Sequence, residues 1–94
     1  MRTLCRITIK DEYLEECLGY ITDHTNHCKS EQGNVISEAY QSDEDPHVVY
    51  LISEFATPED EKRHVESPKD AEFRKKMEGK EAGPVKMVKL KQLA

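Results

Sequence analysis

The sequence predicts an α+β fold: a ferredoxin-like βαββαβ antiparallel sheet with its helices on one face. Three observations lead there. The run Val48-Val49-Tyr50-Leu51-Ile52 is apolar at every position, as in a central strand covered on both sides. Leu14, Cys17, Leu18, Ile21, Thr25 and Cys28 keep helical spacing and form one stripe. One helical segment follows each odd strand, and the short polar turn Ser42-Asp43-Glu44-Asp45-Pro46 joins the two middle strands as a hairpin. Right-handed crossovers put both helices on the same face, leaving the other for a second subunit or for water.

Taken in order, Thr3 to Ile9 alternates, with Cys5, Ile7 and Ile9 on one face and Leu4, Arg6 and Thr8 on the other. Asp11 and Glu12 then stand where a helix start favours acids, and the helix that follows closes near Gln32-Gly33-Asn34, where Gly33 can take the left-handed conformation. In the second strand, Val35 to Gln41, Val35, Ser37 and Ala39 share a face opposite Ile36, Glu38 and Tyr40. The apolar third strand ends on Ser53-Glu54-Phe55. Thr57-Pro58-Glu59-Asp60 has the grammar of a helix start, and Ser67-Pro68-Lys69-Asp70 repeats it. The second helix is therefore expected in two pieces, one to about Val65 and one carrying Ala71, Phe73 and Met77. Gly79 and Gly83-Pro84 end it, and Val85 to Leu93 is the last strand.

A chain of 94 residues is expected to make one domain, residues 1–94. Its 36% apolar and 35% charged content allows only a modest core, which favours an oligomer in which a partner chain covers part of the sheet. The net charge of −5 argues against a general nucleic-acid binder. The charge is uneven: from Arg74 onward seven Lys or Arg face Glu78 and Glu81, a balance of +5, and residues 1–73 carry −10. A lysine-protected edge strand and a docking patch for an anion both fit that pattern. Cys5, Cys17 and Cys28 have no paired spacing, so reduced thiols and a cytoplasmic setting are expected. No run approaches the roughly 18 apolar residues of a membrane span, and none reads as a signal peptide.

His64 heads the candidates for chemistry. It ends the short helical piece before Ser67-Pro68, where its ring can turn towards the sheet to shuttle a proton or bond a substrate oxygen, or else settle on the helix dipole. His24 and His27 stand three apart beside Cys28, a spacing that can share a metal but lacks a fixed third ligand; no metal is expected there. His47 reads as a hairpin-end residue. Glu54, acidic beside an apolar run, is either a general base or an ion-pair partner of Arg6 or Lys86. Tyr40, Tyr50 and Phe55 are expected to line a cavity between sheet and helices, or simply to be core.

The stretch Glu54 … His64-Val65-Glu66-Ser67-Pro68-Lys69 … Phe73 resembles the antibiotic biosynthesis monooxygenase (ABM) family, whose members carry a strand ending in Glu-x-Trp, a short helix, His-x-x-Ser-Pro-His and a downstream Phe. Glu31-Gln32-Gly33-Asn34 is similar to that family's Glu-x-Gly turn, and the likeness runs from about Thr3 to Leu90. It implies homodimers forming a dimeric α/β barrel, a pocket in each subunit, and oxygenation of phenolic or quinol-like small molecules without metal, flavin or haem. There a deprotonated substrate itself supplies electrons to oxygen. On that reading His64 and Glu54 are catalytic, and Tyr40, Tyr50, Phe55, Lys69 and Phe73 bind substrate. The chain has no Trp, with Phe55 near its place, and Lys69 stands where the family has a second His. Two alternatives follow: a non-catalytic module binding a small ligand or partner, and an isomerase of a phosphorylated quorum-signal sugar using Lys69 and Arg6.

Overall fold

The computed structural model describes residues 1–94. The elements are β1 (Arg2–Thr8), α1 (Leu14–Cys28), β2 (Asn34–Gln41), β3 (Val48–Phe55), α2 (Pro58–Val65), α3 (Pro68–Met77) and β4 (Lys86–Leu90), with a single 3-10 turn at Asp11–Tyr13 before α1. The predicted order and the break in the second helix are both present. The expected acidic helix start at Asp11 and Glu12 is that 3-10 turn, and the last strand is shorter than expected, ending at Leu90.

The four strands form one open antiparallel sheet in the order β2-β3-β1-β4, so the apolar strand is interior. Register sorts the residues onto two faces. The rows Ala39–Leu51–Cys5–Met87 and Ser37–Ser53–Thr3–Lys89 lie on one; Tyr40–Tyr50–Arg6–Lys86 and Glu38–Ile52–Leu4–Val88 lie on the other. The first face carries the core. Cys5, Ile7, Ile9 and Val49 pack against Cys17 and Ile21 of the α1 stripe and Met77 of α3, with Leu51 and Phe73 at the margin. No helix lies over the other face in the single chain. Of the run Val48 to Ile52 only Val48 and Val49 are buried, so a helical cover on both sides of β3 does not exist here.

Both halves of the broken helix start on a hydroxyl cap. The Thr57 side chain accepts from Asp60 N at 3.1 Å and that of Ser67 from Asp70 N at 3.1 Å, each followed by a proline. A cap of this kind contributes about 1 kcal/mol. The break frees the end of α2 from the line of α3, and His64 sits at that end. Met87, on the core face of edge strand β4, is exposed, so the space between sheet and helices is open on that side.

Candidate active site

A groove of about 990 Å³ runs between the core face of the sheet and the helices. Thr3, Leu51, Ser53 and Phe55 form its floor; His24, Cys28, His64, Asp70 and Phe73 form its roof. Four elements supply the polar cluster in that roof, and each side chain arrives for a local reason. Cys28 is the last residue of the α1 stripe and is turned inward by helical period. Glu31 lies in the turn after it. His64 lies one residue before the end of α2, and Asp70 in the first turn of α3.

The Glu31 turn is held by Gly33. Its φ of +78° is left-handed, and a Cβ there would fall 2.1 Å from Asp60 Oδ2, so only glycine fits. Gly33 O also accepts from Ala56 N at 2.7 Å, and Asp60 accepts from Arg63 at 2.7 Å and from the Thr57 hydroxyl at 2.9 Å. These contacts press the turn carrying Glu31 onto the start of α2, the helix that carries His64. Glu31 Oε1 is 2.7 Å from His64 Nδ1. A carboxylate can only accept, so the shared hydrogen sits on Nδ1. Nε2 makes no hydrogen bond within the chain; Asp70 Oδ1 stands 3.9 Å from it.

The two imidazoles are set by aromatic rings. Phe55 stacks on His64 at 4.8 Å between centroids, and Phe73 lies parallel to His24 at 4.1 Å. His24 Nε2 is 3.5 Å from both Cys28 Sγ and Asp70 Oδ1. Burial, then the Glu31 carboxylate and Asp70, pushes the Cys28 thiol up to about 12, so Cys28 is a protonated thiol at neutral pH. Burial also works against the Asp70 carboxylate. The hydrogen bond with His24 and the nearby His64 and Arg74 outweigh it and hold the carboxyl below its ordinary value. At the β4 side, Lys89 bonds Thr3 Oγ1 at 2.9 Å and pairs with Glu61, tying α2 to the sheet edge.

Of the residues singled out from sequence, the groove gathers His64, Phe55 and Phe73. His24 and Cys28 are in its roof as well, whereas Tyr40, Tyr50, Glu54, Lys69, His27 and His47 lie outside it. Tyr40 and Tyr50 are cross-strand partners on the opposite face, where Tyr40 is exposed and its hydroxyl bonds Glu38 at 2.7 Å. Strand parity decides this: even-numbered β3 residues point away from the helices. The same parity removes Glu54, whose partner is Arg2 at 3.2 Å rather than Arg6 or Lys86. Lys69 is on the outer side of α3, 3.7 Å from Glu72. His47 is at the hairpin end as expected, bonded to Asp11 at 2.8 Å and Asp45 at 3.1 Å. His24, without His27, turns to Cys28. Sequence reasoning missed Glu31 and Asp70 as site residues. The signal for Glu31 was the Glu31-x-Gly33 turn; Asp70 was hidden in a capping motif, which explained it fully on local grounds.

Comparison with known proteins places this architecture. A family model described as "Antibiotic biosynthesis monooxygenase" matches residues 2–76. The chain belongs to the antibiotic biosynthesis monooxygenase family. Among solved structures, it is similar to a candidate antibiotic biosynthesis monooxygenase from Nitrosomonas europaea, with 23% identity and a TM-score of 0.87 over 93% of this chain and 84% of that one. A Pseudomonas aeruginosa protein shares 20% identity with a TM-score of 0.90 over 99% and 93% of the two chains. A Deinococcus radiodurans protein keeps a TM-score of 0.86 at 6% identity, covering 99% of this chain and 94% of that one. At these identities the likeness is one of fold. No curated protein matches the sequence. No helix is long and apolar enough to cross a membrane.

Proposed function

We propose that the protein is a cofactor-independent monooxygenase of phenolic or quinol-like small molecules, working in the groove beside His64. The observation that supports this most is the His64–Glu31 pair at 2.7 Å, its imidazole stacked on Phe55, in a groove large enough for an aromatic ring system. In this reading a substrate hydroxyl gives its proton to His64 Nε2. The Glu31 carboxylate holds the ring by Nδ1 and favours the imidazolium that forms. The resulting phenolate passes electrons to dioxygen; one oxygen atom enters the ring and the other leaves as water, so the ring is oxidised to the quinone level. Phe55 and Phe73 position the ring and exclude water. Glu54, Tyr40, Tyr50 and Lys69 have no part in this step, since each lies outside the roof and floor of the groove.

The working unit is proposed as a homodimer. Leu4, Tyr50, Ile52 and Val88 share the face that no helix covers, and a second copy would bury it, forming the two-sheet barrel that the family resemblance implies. Oxygen uptake by the purified protein with a panel of quinols, and no added cofactor, tests the reaction. Tight ligands found by thermal shift without any turnover would favour the binding-module reading instead; the position of Glu54, one of two expected catalytic groups, favours that alternative. Lys69 paired outside the groove lends nothing to the sugar-phosphate isomerase.

A further inference from the structure

Cys28 Sγ, Glu31 Oε1 and His64 Nδ1 lie within 4.8 Å of one another, on the end of α1, the turn after it and the end of α2. Cys28 Sγ is 3.9 Å from His64 Nδ1, and His24 Nε2 stands 3.5 Å from the same sulfur. Donors on a tetrahedral zinc, at about 2.3 Å for sulfur and 2.0–2.2 Å for nitrogen or oxygen, stand roughly 3.3–3.6 Å apart. The 2.7 Å contact of Glu31 with His64 is tighter than that spacing and the 3.9 Å from Cys28 Sγ to His64 Nδ1 is wider, so side-chain rotations that move donor atoms by up to about an ångström would close the set around an ion. The donor types, a sulfur, an imidazole and a carboxylate, are those of zinc and its neighbours rather than of magnesium or calcium. The charge suits a cation as well: Glu31 and Asp70 both reach the cluster, while the nearby Arg74 is engaged with Asp70 at 3.0 Å.

We infer that Cys28, Glu31 and His64 form a binding site for a divalent transition-metal ion of zinc's class, with His24 flanking it. The inference does not depend on the oxygenase reading, because it concerns the roof cluster alone. Coordination would take up the Nδ1 position that otherwise faces Glu31, so an ion here competes with proton transfer through His64. The site is assembled from three elements, and its residues are 28, 31 and 64 in the chain, which is why no short motif announces it.

Chelator-treated full-length protein titrated with cobalt(II) provides the test. One ion per chain is expected, Cys28 giving up its thiol proton to solvent as the metal–sulfur bond forms, with thiolate-to-cobalt charge-transfer absorption in the near ultraviolet that zinc abolishes by displacement. Cys28→Ser should remove that band, whereas Cys5→Ser, at a buried sulfur away from the cluster, should keep it. Groups merely supporting a metal ligand are worth roughly 10–100-fold in affinity, so losing a ligand in Glu31→Gln or His64→Ala should weaken cobalt binding by at least about tenfold. Circular dichroism checks that each variant is folded; if Cys28→Ser is not, the two partly exposed positions carry the test. Absence of stoichiometric binding by folded wild type, or a band untouched by all three substitutions, overturns the inference. Neither outcome bears on oxygen uptake, which is measured separately.

Discussion

His64 Nδ1 lies 2.7 Å from Glu31 Oε1, although the two residues are 33 positions apart. The contact joins the turn after α1 to the end of α2 and fixes which imidazole nitrogen faces the groove. Both side chains are mostly shielded from water, and a hydrogen bond to a charged partner contributes about 1.5–3 kcal/mol. Glu31→Gln should therefore lower stability by about 1–2 kcal/mol, a fall in Tm of roughly 4–8 °C per kcal/mol in a domain of this size. On the proposed reaction it should also slow oxygen uptake by about tenfold to a hundredfold, less than complete loss of an acid–base group. Scanning calorimetry and an oxygen electrode read the two effects independently.

Gly33→Ala should be more damaging than its size suggests. The backbone there is at φ +78°, and the new methyl would meet the Asp60 side chain at 2.1 Å. The strained conformation alone costs on the order of 1–3 kcal/mol, with the clash in addition. Adding Asp60→Ala should remove the carboxyl part of the clash but leave the Cβ of residue 60 at 2.7 Å and the conformational part untouched, so the double variant should recover only some of the lost Tm. Full recovery would mean that the glycine's backbone freedom is unimportant.

Acid should weaken the roof through Asp70. Its folded value is depressed, so its contribution is present above the unfolded value of about 3.9 and is lost as pH falls through the folded value below that. Urea unfolding of wild type and Asp70→Asn should differ at pH 6 and converge towards pH 3. At His47 the sign reverses. The bonds to Asp11 and Asp45 raise it, so its contribution is present below about 6.5, the unfolded value, and disappears as pH rises through the folded value. His47→Gln should accordingly narrow the difference between pH 5 and pH 9. A difference between wild type and Asp70→Asn that stayed constant down to pH 3 would contradict the account of the roof.

The uncovered sheet face gives a prediction about assembly. Val88→Glu or Ile52→Glu places a charge among Leu4, Tyr50 and their neighbours, where burial of an unpaired carboxylate is costly. Analytical ultracentrifugation should show a dimer for wild type and a shift to monomer for either variant. A wild type that is monomeric at high concentration would contradict the proposed working unit.

Much of the fold was legible because its signals are local. The α1 stripe, the alternation of β1 and the twin caps Thr57-Pro58 and Ser67-Pro68 each state their own conformation within a few residues. The site was legible only in part. His64, Phe55 and Phe73 could be found because they bracket the helix break. Tyr50 was expected in the cavity because a strand apolar on both faces gives no clue to which parity meets the helices, and Tyr40, its cross-strand partner in β2, shares its face; Glu54 was left open between a general base and an ion pair, and it makes an ion pair, with Arg2. Cys28, Glu31 and Asp70 converge only through tertiary packing, and each already had a sufficient local explanation: stripe, turn and cap.

Oxygen uptake with a quinol panel, compared between wild type and His64→Ala without any added metal or flavin, tests the central claim most directly. The account predicts uptake by wild type and a loss on the order of 10²-fold or more in the variant, the usual contribution of a general acid–base group. Equal rates in the two proteins would contradict it.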